Sequence, residues 1–348
     1  MRSLYRQPTV REHTPALWAL LVLLVVILVA ACNGAADDAV SDLSMPTPPT
    51  EVTESPSATA TPTAAPTPHV TEKAQQRSPV VPTPSPSPLA YEPEPPVRDA
   101  DLEALILETL RPDSRSYGVV VRNLTAGTEA MVNPDRVFYA ASLYKLPILY
   151  EIYKLRETGV LDFDRQLALT AHYVEQDEGS LSLLGWEEGD TVSVRQAVEA
   201  MITVSDNASA WMLRDLAGWA LIDADMTSLG LEHTTVDSRW LTTSARDMAI
   251  LLESMALGQA VSSAASREMV DLLAQQTVRD RIPALLPYDT QVANKTGNWL
   301  NATHDVAIVY SPSATYVIAV LSDRGWEPET IAQLSLAVYD YFQTHGGG

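Results

Sequence analysis

The sequence predicts an α+β domain over residues 99–348, and three observations lead there. Strand-like stretches stand at both ends of that span. Between them run several segments with helical apolar spacing. No internal repeat of domain size interrupts the pattern. Strands at the two ends with helices between are the arrangement in which terminal strands share one antiparallel sheet, flanked by helices.

Each element has its own signal. Residues 101–110 carry apolar side chains at helical spacing, with acids in the first turn and Pro112 past the end. Residues 116–124 read as a strand, 125–127 as a turn and 128–132 as a strand pairing back. A helix follows from about Ser142 to Glu157, apolar over much of its surface through Ile148, Leu149, Ile152, Tyr153 and Leu155. Pro147 sits near its first turn, where a missing N–H costs least. After a mixed region, Ser193 caps an amphipathic helix over 193–202. Residues 208–216 are helical too, with Gly218 as the stop. Two more helices are expected near 245–256 and 266–273. Strands over 290–294, 305–310 and 315–321 and a helix over 329–342 close the chain.

The first hundred residues read differently. Arg2, Arg6 and Arg11 precede an apolar run that ends at Val29-Ala30-Ala31-Cys32, and Cys32 is the chain's only cysteine. A charged start, an apolar core and small residues before a cut site make a secretory signal over residues 1–31. With the cut directly before Cys32, the pattern resembles the lipobox of bacterial lipoproteins, whose cysteine is diacylated. A plain transmembrane anchor with an incidental cysteine is the alternative. Residues 32–98, rich in Pro, Thr, Ser and Ala, cannot bury enough apolar surface to offset ordering entropy and read as an extended tether. Both readings place the domain outside the cytoplasm, at a membrane, as a cell-surface or periplasmic protein.

A formal net charge of -21 argues against nucleic acid as a partner, since phosphate binding needs basic patches. One cysteine allows no internal disulfide, so the domain relies on its core. His172 and His233 lack partners at metal-ligand spacing, and neither a metal nor another cofactor is expected.

The chemistry gathers around Tyr139-Ala-Ala-Ser142-Leu-Tyr-Lys145. Residues three apart share a helix face, so the Lys145 amine can reach the Ser142 hydroxyl. The helix N-terminus adds free N–H groups and a positive dipole end beside the serine. Such a setting activates a nucleophile and stabilises the anion formed after attack. Ser205-Asp206-Asn207 follows in a break between two helices, and Lys295-Thr296-Gly297 at a strand edge.

Ser-x-x-Lys, Ser-Asp-Asn and Lys-Thr-Gly, in this order, resemble the three motifs of the penicillin-recognising serine acyl-transferases, the β-lactamases and D,D-peptidases. The Ser-Asp-Asn form is most similar to class A β-lactamases. The resemblance implies that fold, with an all-helical subdomain beside the sheet. It implies Ser142 as acylated nucleophile, Lys145 as its base or part of the proton relay, and Ser205 as proton donor to the leaving nitrogen. Asn207 would bind Lys145 and the substrate amide. Lys295 and Thr296 would hold the substrate carboxylate, with Gly297 beside them. The N–H groups of Ser142 and Asn298 would form the oxyanion hole. The implied partner is a β-lactam or a D-Ala-D-Ala peptide, taken by a monomer tethered to the membrane through Cys32.

Two departures stand out. Class A enzymes carry a loop that opens near an Arg-Trp pair and contains Glu-x-x-x-Asn, whose glutamate activates the deacylating water. Here Arg239-Trp240 is followed at once by Leu241-Thr-Thr-Ser244-Ala-Arg-Asp247, already the start of the next helix with Thr243 or Ser244 as N-cap. The loop and its glutamate read as deleted. Glu232, Asp237, Asp247 and Glu178 are the candidate substitutes, though each reads more readily as surface charge or helix-start acid. The arginine that grips the substrate carboxylate is also missing from the strand after Lys-Thr-Gly. Its neighbourhood is Thr303-His304-Asp305, where His304 could substitute weakly as a donor but reads more readily as an exposed strand-end histidine. Three outcomes remain open: a β-lactamase with slow deacylation, a cell-wall D,D-carboxypeptidase or transpeptidase, and a penicillin-binding lipoprotein without turnover.

Overall fold

The computed structural model describes residues 95–237 and 239–345; the expectations for the signal segment, Cys32 and most of the tether lie outside them. Among the described residues, the main sheet has six strands in the order β1-β3-β2-β10-β9-β8. They are β1 (Val97–Arg98), β2 (Tyr117–Asn123), β3 (Thr128–Val132), β8 (Gln291–Trp299), β9 (Ala302–Tyr310) and β10 (Thr315–Ser322). First and last strands do share one sheet, as Val120 facing Ala319 shows. One correction applies. The sheet is mixed, because β1 runs parallel to β3; two residues offer too little pattern for sequence to orient them.

Period-two alternation divides the apolar side chains between two cores. Val119 and Val121 of β2, with Tyr316, Ile318 and Val320 of β10, pack against α1 (Ala100–Thr109) and α10 (Pro328–His345). Val120, Val317, Ala319 and Leu321 face the larger helical core. A strand covered on both faces reads as a continuous apolar run, as β10 does. Asp99 caps α1 by accepting from Leu102 N–H at 2.9 Å, and Tyr341 of α10 donates to the same carboxylate at 2.8 Å.

The helical side is built on α2 (Lys145–Glu157), whose residues Lys145 to Tyr153 are all buried. It does not begin at Ser142 as the spacing suggests. Ala141–Tyr144 form a 3-10 turn first, the tighter geometry common at helix ends. A ribbon of β5 (Gln166–Ala168) and β6 (Thr191–Ser193), with the short helices α3 (Ala171–Val174) and α4 (Ser180–Leu184), fills the region that sequence left mixed. Then come α5 (Val194–Thr203), with a full capping box between Ser193 and Gln196, and α6 (Asn207–Ala217). Gly218, at φ +85°, ends α6 and starts α7 (Trp219–Ser228), a helix the sequence reading passed over. A second ribbon joins β4 (Phe138–Tyr139) to β7 (Thr242–Thr243). Ser244 caps α8 (Ala245–Ala256), and α9 (Ser263–Leu273) leads back to the sheet.

Candidate active site

Three segments meet where the helical side joins the edge strand β8. The 3-10 turn delivers Ser142, the corner between α5 and α6 delivers Ser205, Asp206 and Asn207, and β8 delivers Lys295 to Asn298. Gly297 lets them close. A Cβ there would stand 3.2 Å from the Ala140 carbonyl oxygen and 3.3 Å from the Ser142 nitrogen, close enough that this backbone would have to shift by a few tenths of an ångström. Ala141 (φ +45°) and Ser205 (φ +62°) hold left-handed backbone beside the reacting groups, which costs about 1–3 kcal/mol at each position.

Lys145 is fully buried, and its Nζ lies 3.2 Å from Ser142 Oγ, 3.0 Å from Ser205 Oγ and 2.7 Å from Asn207 Oδ1. It also donates to the Ser205 carbonyl. Burial pushes this amine down to about 7, against the opposing charges of Asp206 and Glu178. The neighbours suit a neutral amine. Its two N–H bonds go to the obligate acceptors, the Ser205 carbonyl and the Asn207 amide oxygen. The lone pair is then left for a hydroxyl.

Ser205 Oγ lies between two lysines, with Lys295 Nζ at 2.9 Å. Lys295, also fully buried, donates to the Thr296 carbonyl at 2.8 Å. Burial, and then the nearby Lys145 charge, push Lys295 well below its ordinary value. Asp206 turns away from the cleft. It caps α6 by accepting from Ser209 N–H at 2.6 Å, and it takes the Ser180 hydroxyl at 2.7 Å. Its work is to hold the corner that carries Ser205 and Asn207.

His304 requires correction. It is fully buried, not an exposed strand-end residue. Ser322 N–H donates to its Nδ1 at 3.1 Å, so Nε2 carries the proton and donates to the Tyr139 carbonyl at 2.8 Å. Burial holds the ring at about 4, hence neutral. His304 thus pins the chain that leads into Ser142.

A buried cation stands on another segment beside the cleft. Arg281, in the connection between α9 and β8, is 1% exposed and donates to Asn298 Oδ1 at 2.5 Å. Its guanidinium lies 4.9 Å from the Trp326 ring centre. Among the described residues, the buried Nε and Nη1 have no hydrogen-bond partner, and the Asp280 carboxylate stands 3.8 Å from Nε. Behind it, Asp305 accepts from Asn294 at 3.0 Å and from Ile282 N–H at 2.9 Å; burial raises this carboxyl to about 7. Nothing local in the sequence marks Arg281, because only the closing of β8 on the helical side brings it here.

The cleft has two lobes around Ser142, of about 400 Å³ and 290 Å³, and both include Glu178, Asn207 and Asn298. Ser205, Thr296 and Arg281 line the larger, and Leu241 and Trp299 the smaller. The short loop is visible directly. Thr235 N–H donates to the Thr242 carbonyl at 3.1 Å, closing the chain after a few residues. Arg214 fastens that loop at the Val236 carbonyl. Of the four candidate carboxylates, only Glu178 lines the cleft. Asp237 pairs with Arg239, and Glu232 is exposed. Asp247 is buried and accepts from Thr234 Oγ1 at 2.7 Å. Glu178 lies on an exposed turn, and no hydrogen bond among the described residues fixes its carboxylate. Nor do three His, Cys, Asp or Glu side chains gather there in a metal-holding arrangement.

Comparison with known proteins places this geometry. Residues 99–342 match the family described as "Beta-lactamase enzyme family". A β-lactamase of Streptomyces albus G is 28% identical over 248 residues, covering 66% of this chain and 78% of its own. Among solved structures, PBP-A is 26% identical with a TM-score of 0.67, over 72% of this chain and 98% of that one. A leucine-to-glutamate variant of PBP-A, in an acyl-enzyme complex with penicillin G, is 27% identical with the same TM-score, over 72% and 99%. By its α+β fold and by the family match across that whole domain, the chain belongs to the beta-lactamase enzyme family.

Proposed function

We propose that the protein forms an acyl-enzyme on Ser142 with β-lactams and releases it slowly, its natural substrate being a cell-wall peptide ending in D-Ala-D-Ala. The observation that carries this is the pairing of a complete acylating cluster with Leu241 at the cleft wall where a loop carboxylate is expected. Ser142 Oγ attacks the amide carbon as its proton passes to neutral Lys145. The N–H groups of Ser142 and Asn298 receive the developing oxyanion. The C–N bond then breaks, and the leaving nitrogen takes a proton from Ser205, which is resupplied from the lysines on either side. Deacylation repeats these steps with water and lacks a positioned base, a loss of about 10²–10⁴-fold in that step. The likeness to PBP-A, a variant of which forms an acyl-enzyme complex with penicillin G, supports the acyl-enzyme part of the reading. Export and a diacylated Cys32 would hold the monomer where wall peptides lie.

Intact-mass spectrometry of the full chain in detergent, mixed with benzylpenicillin and followed from seconds to hours, tests this. A lasting adduct, absent in Ser142→Ala, is expected. An adduct that vanishes while penicilloate accumulates would indicate an efficient β-lactamase instead. No adduct at all would sink the acyl-enzyme.

Arg281, which lines the larger lobe, takes the role of carboxylate anchor with Lys295 and Thr296. A charge-assisted hydrogen bond of this kind contributes about 1.5–3 kcal/mol. Arg281→Gln should therefore lower the second-order acylation constant of benzylpenicillin by roughly 10–100-fold. The methyl ester of the same penicillin, which has no carboxylate to grip, should lose far less; equal losses would assign Arg281 a purely structural part.

A further inference from the structure

Opening a β-lactam ring does not release its nitrogen half. The amine stays joined to the acyl group, so the larger lobe, with Ser205, Thr296 and Arg281, remains filled after acylation. A peptide ending in D-Ala-D-Ala differs, because its last residue departs and empties that lobe. Water bound for a penicilloyl ester must therefore enter by the smaller lobe, where Ser142 meets Leu241 and Tyr144.

Tyr144 ends the 3-10 turn that carries Ser142 and precedes Lys145 directly. Its ring packs into the helical core, with Lys145 Nζ 5.7 Å from the ring centre. The side chain is 6% exposed, and no hydrogen bond among the described residues engages its hydroxyl. A phenylalanine would fill the same space without the cost of burying an unpaired hydroxyl. Burial pushes this hydroxyl above its ordinary value, with Tyr139 adding to the rise and Arg214 opposing it, so it stays protonated. In that state it can donate one hydrogen bond and accept another, but it cannot serve as a base.

We propose that the Tyr144 hydroxyl holds the water that deacylates β-lactam adducts, as a catalytic residue of that step. This rests on the acyl-enzyme reading above. The water oxygen bonds to the ester carbon while one of its protons passes to neutral Lys145. The bond between that carbon and Ser142 Oγ then breaks, and Oγ takes the proton back from Lys145, leaving penicilloate and free enzyme. A neutral hydroxyl orients water without activating it as a carboxylate would, which fits slow release. The role is confined to β-lactam adducts. Once a terminal D-Ala has gone, water reaches a peptidyl ester through the larger lobe, beside Ser205.

Tyr144→Phe removes the hydroxyl and keeps the ring. The lifetime of the benzylpenicillin adduct, followed by intact-mass spectrometry on the full chain in detergent, should rise about three- to tenfold, the loss of one neutral hydrogen bond. Formation of the adduct, which consumes no water, should change less than its lifetime does. D-Ala release from Nα,Nε-diacetyl-L-Lys-D-Ala-D-Ala should also change less. Hydroxylamine attacks esters without help from a positioned group, so it should clear the adduct from both proteins at one rate. An unchanged lifetime, or a slowing shared equally by hydroxylamine or by peptide release, would overturn the role of Tyr144 and leave the acyl-enzyme standing. No adduct on the wild-type chain would remove both.

Discussion

Replacing Lys145 with methionine should slow the acylation of Ser142 about 10²–10⁴-fold, the usual loss of a positioned base. The wild-type pH profile carries the same information. Burial pushes the amine to about 7, and only its neutral form accepts the Ser142 proton. Acylation should therefore rise with pH through about 7, falling roughly tenfold per unit on the acid side. In Lys145→Met that inflection should vanish along with the rate. Quenched-flow mass spectrometry across pH 5–9 checks both, with circular dichroism confirming the fold. A variant that kept the inflection would assign the base elsewhere.

The second large effect is a gain. Leu241 is 7% exposed and lines the lobe it shares with Ser142. Its backbone carbonyl is fixed by Ala140 N–H at 2.8 Å, two residues before Ser142. A carboxylate on this position would stand at the acyl-enzyme, in reach of water entering the cleft. Leu241→Glu should shorten the lifetime of the penicilloyl adduct by about 10²-fold or more. Desolvating the new carboxylate should cost about 1–3 kcal/mol of stability, read as a lower Tm. A folded variant whose adduct lasts as long as the wild type's would show that slow release has another cause.

What the sequence revealed was mostly what lies close along the chain. Ser142 and Lys145 are three residues apart, and their contact follows from helical geometry alone. The caps at Ser193 and Ser244 and the stop at Gly218 act within one turn, and each stands where its residue type indicates. Even the shortened loop was legible, because too few residues separate Trp240 from the cap at Ser244. Arg281 was missed and His304 misread for one shared reason. Their roles arise from packing between distant segments. His304 is buried only because the chain before Ser142 lies over it, and Arg281 reaches the cleft only because the connection into β8 folds back beneath Trp326. No pattern of period two or 3.6 records such contacts.

The centre described above works against the stability of the fold that holds it. Lys145 falls from 10.5 in the unfolded chain to about 7 in the folded one. Between those limits the unfolded state binds more protons, so the cost is full below pH 7 and gone above 10.5. It amounts to a few kcal/mol, on the order of half the whole stability of many domains. Lys295 adds a second desolvated amine beside the first, and Ala141 and Ser205 add strained backbone. Mutational drift, left to itself, removes such features first, since most replacements for a buried lysine relieve the burden it imposes. A chain freed from catalytic duty would gain stability by discarding either lysine. This one has kept both.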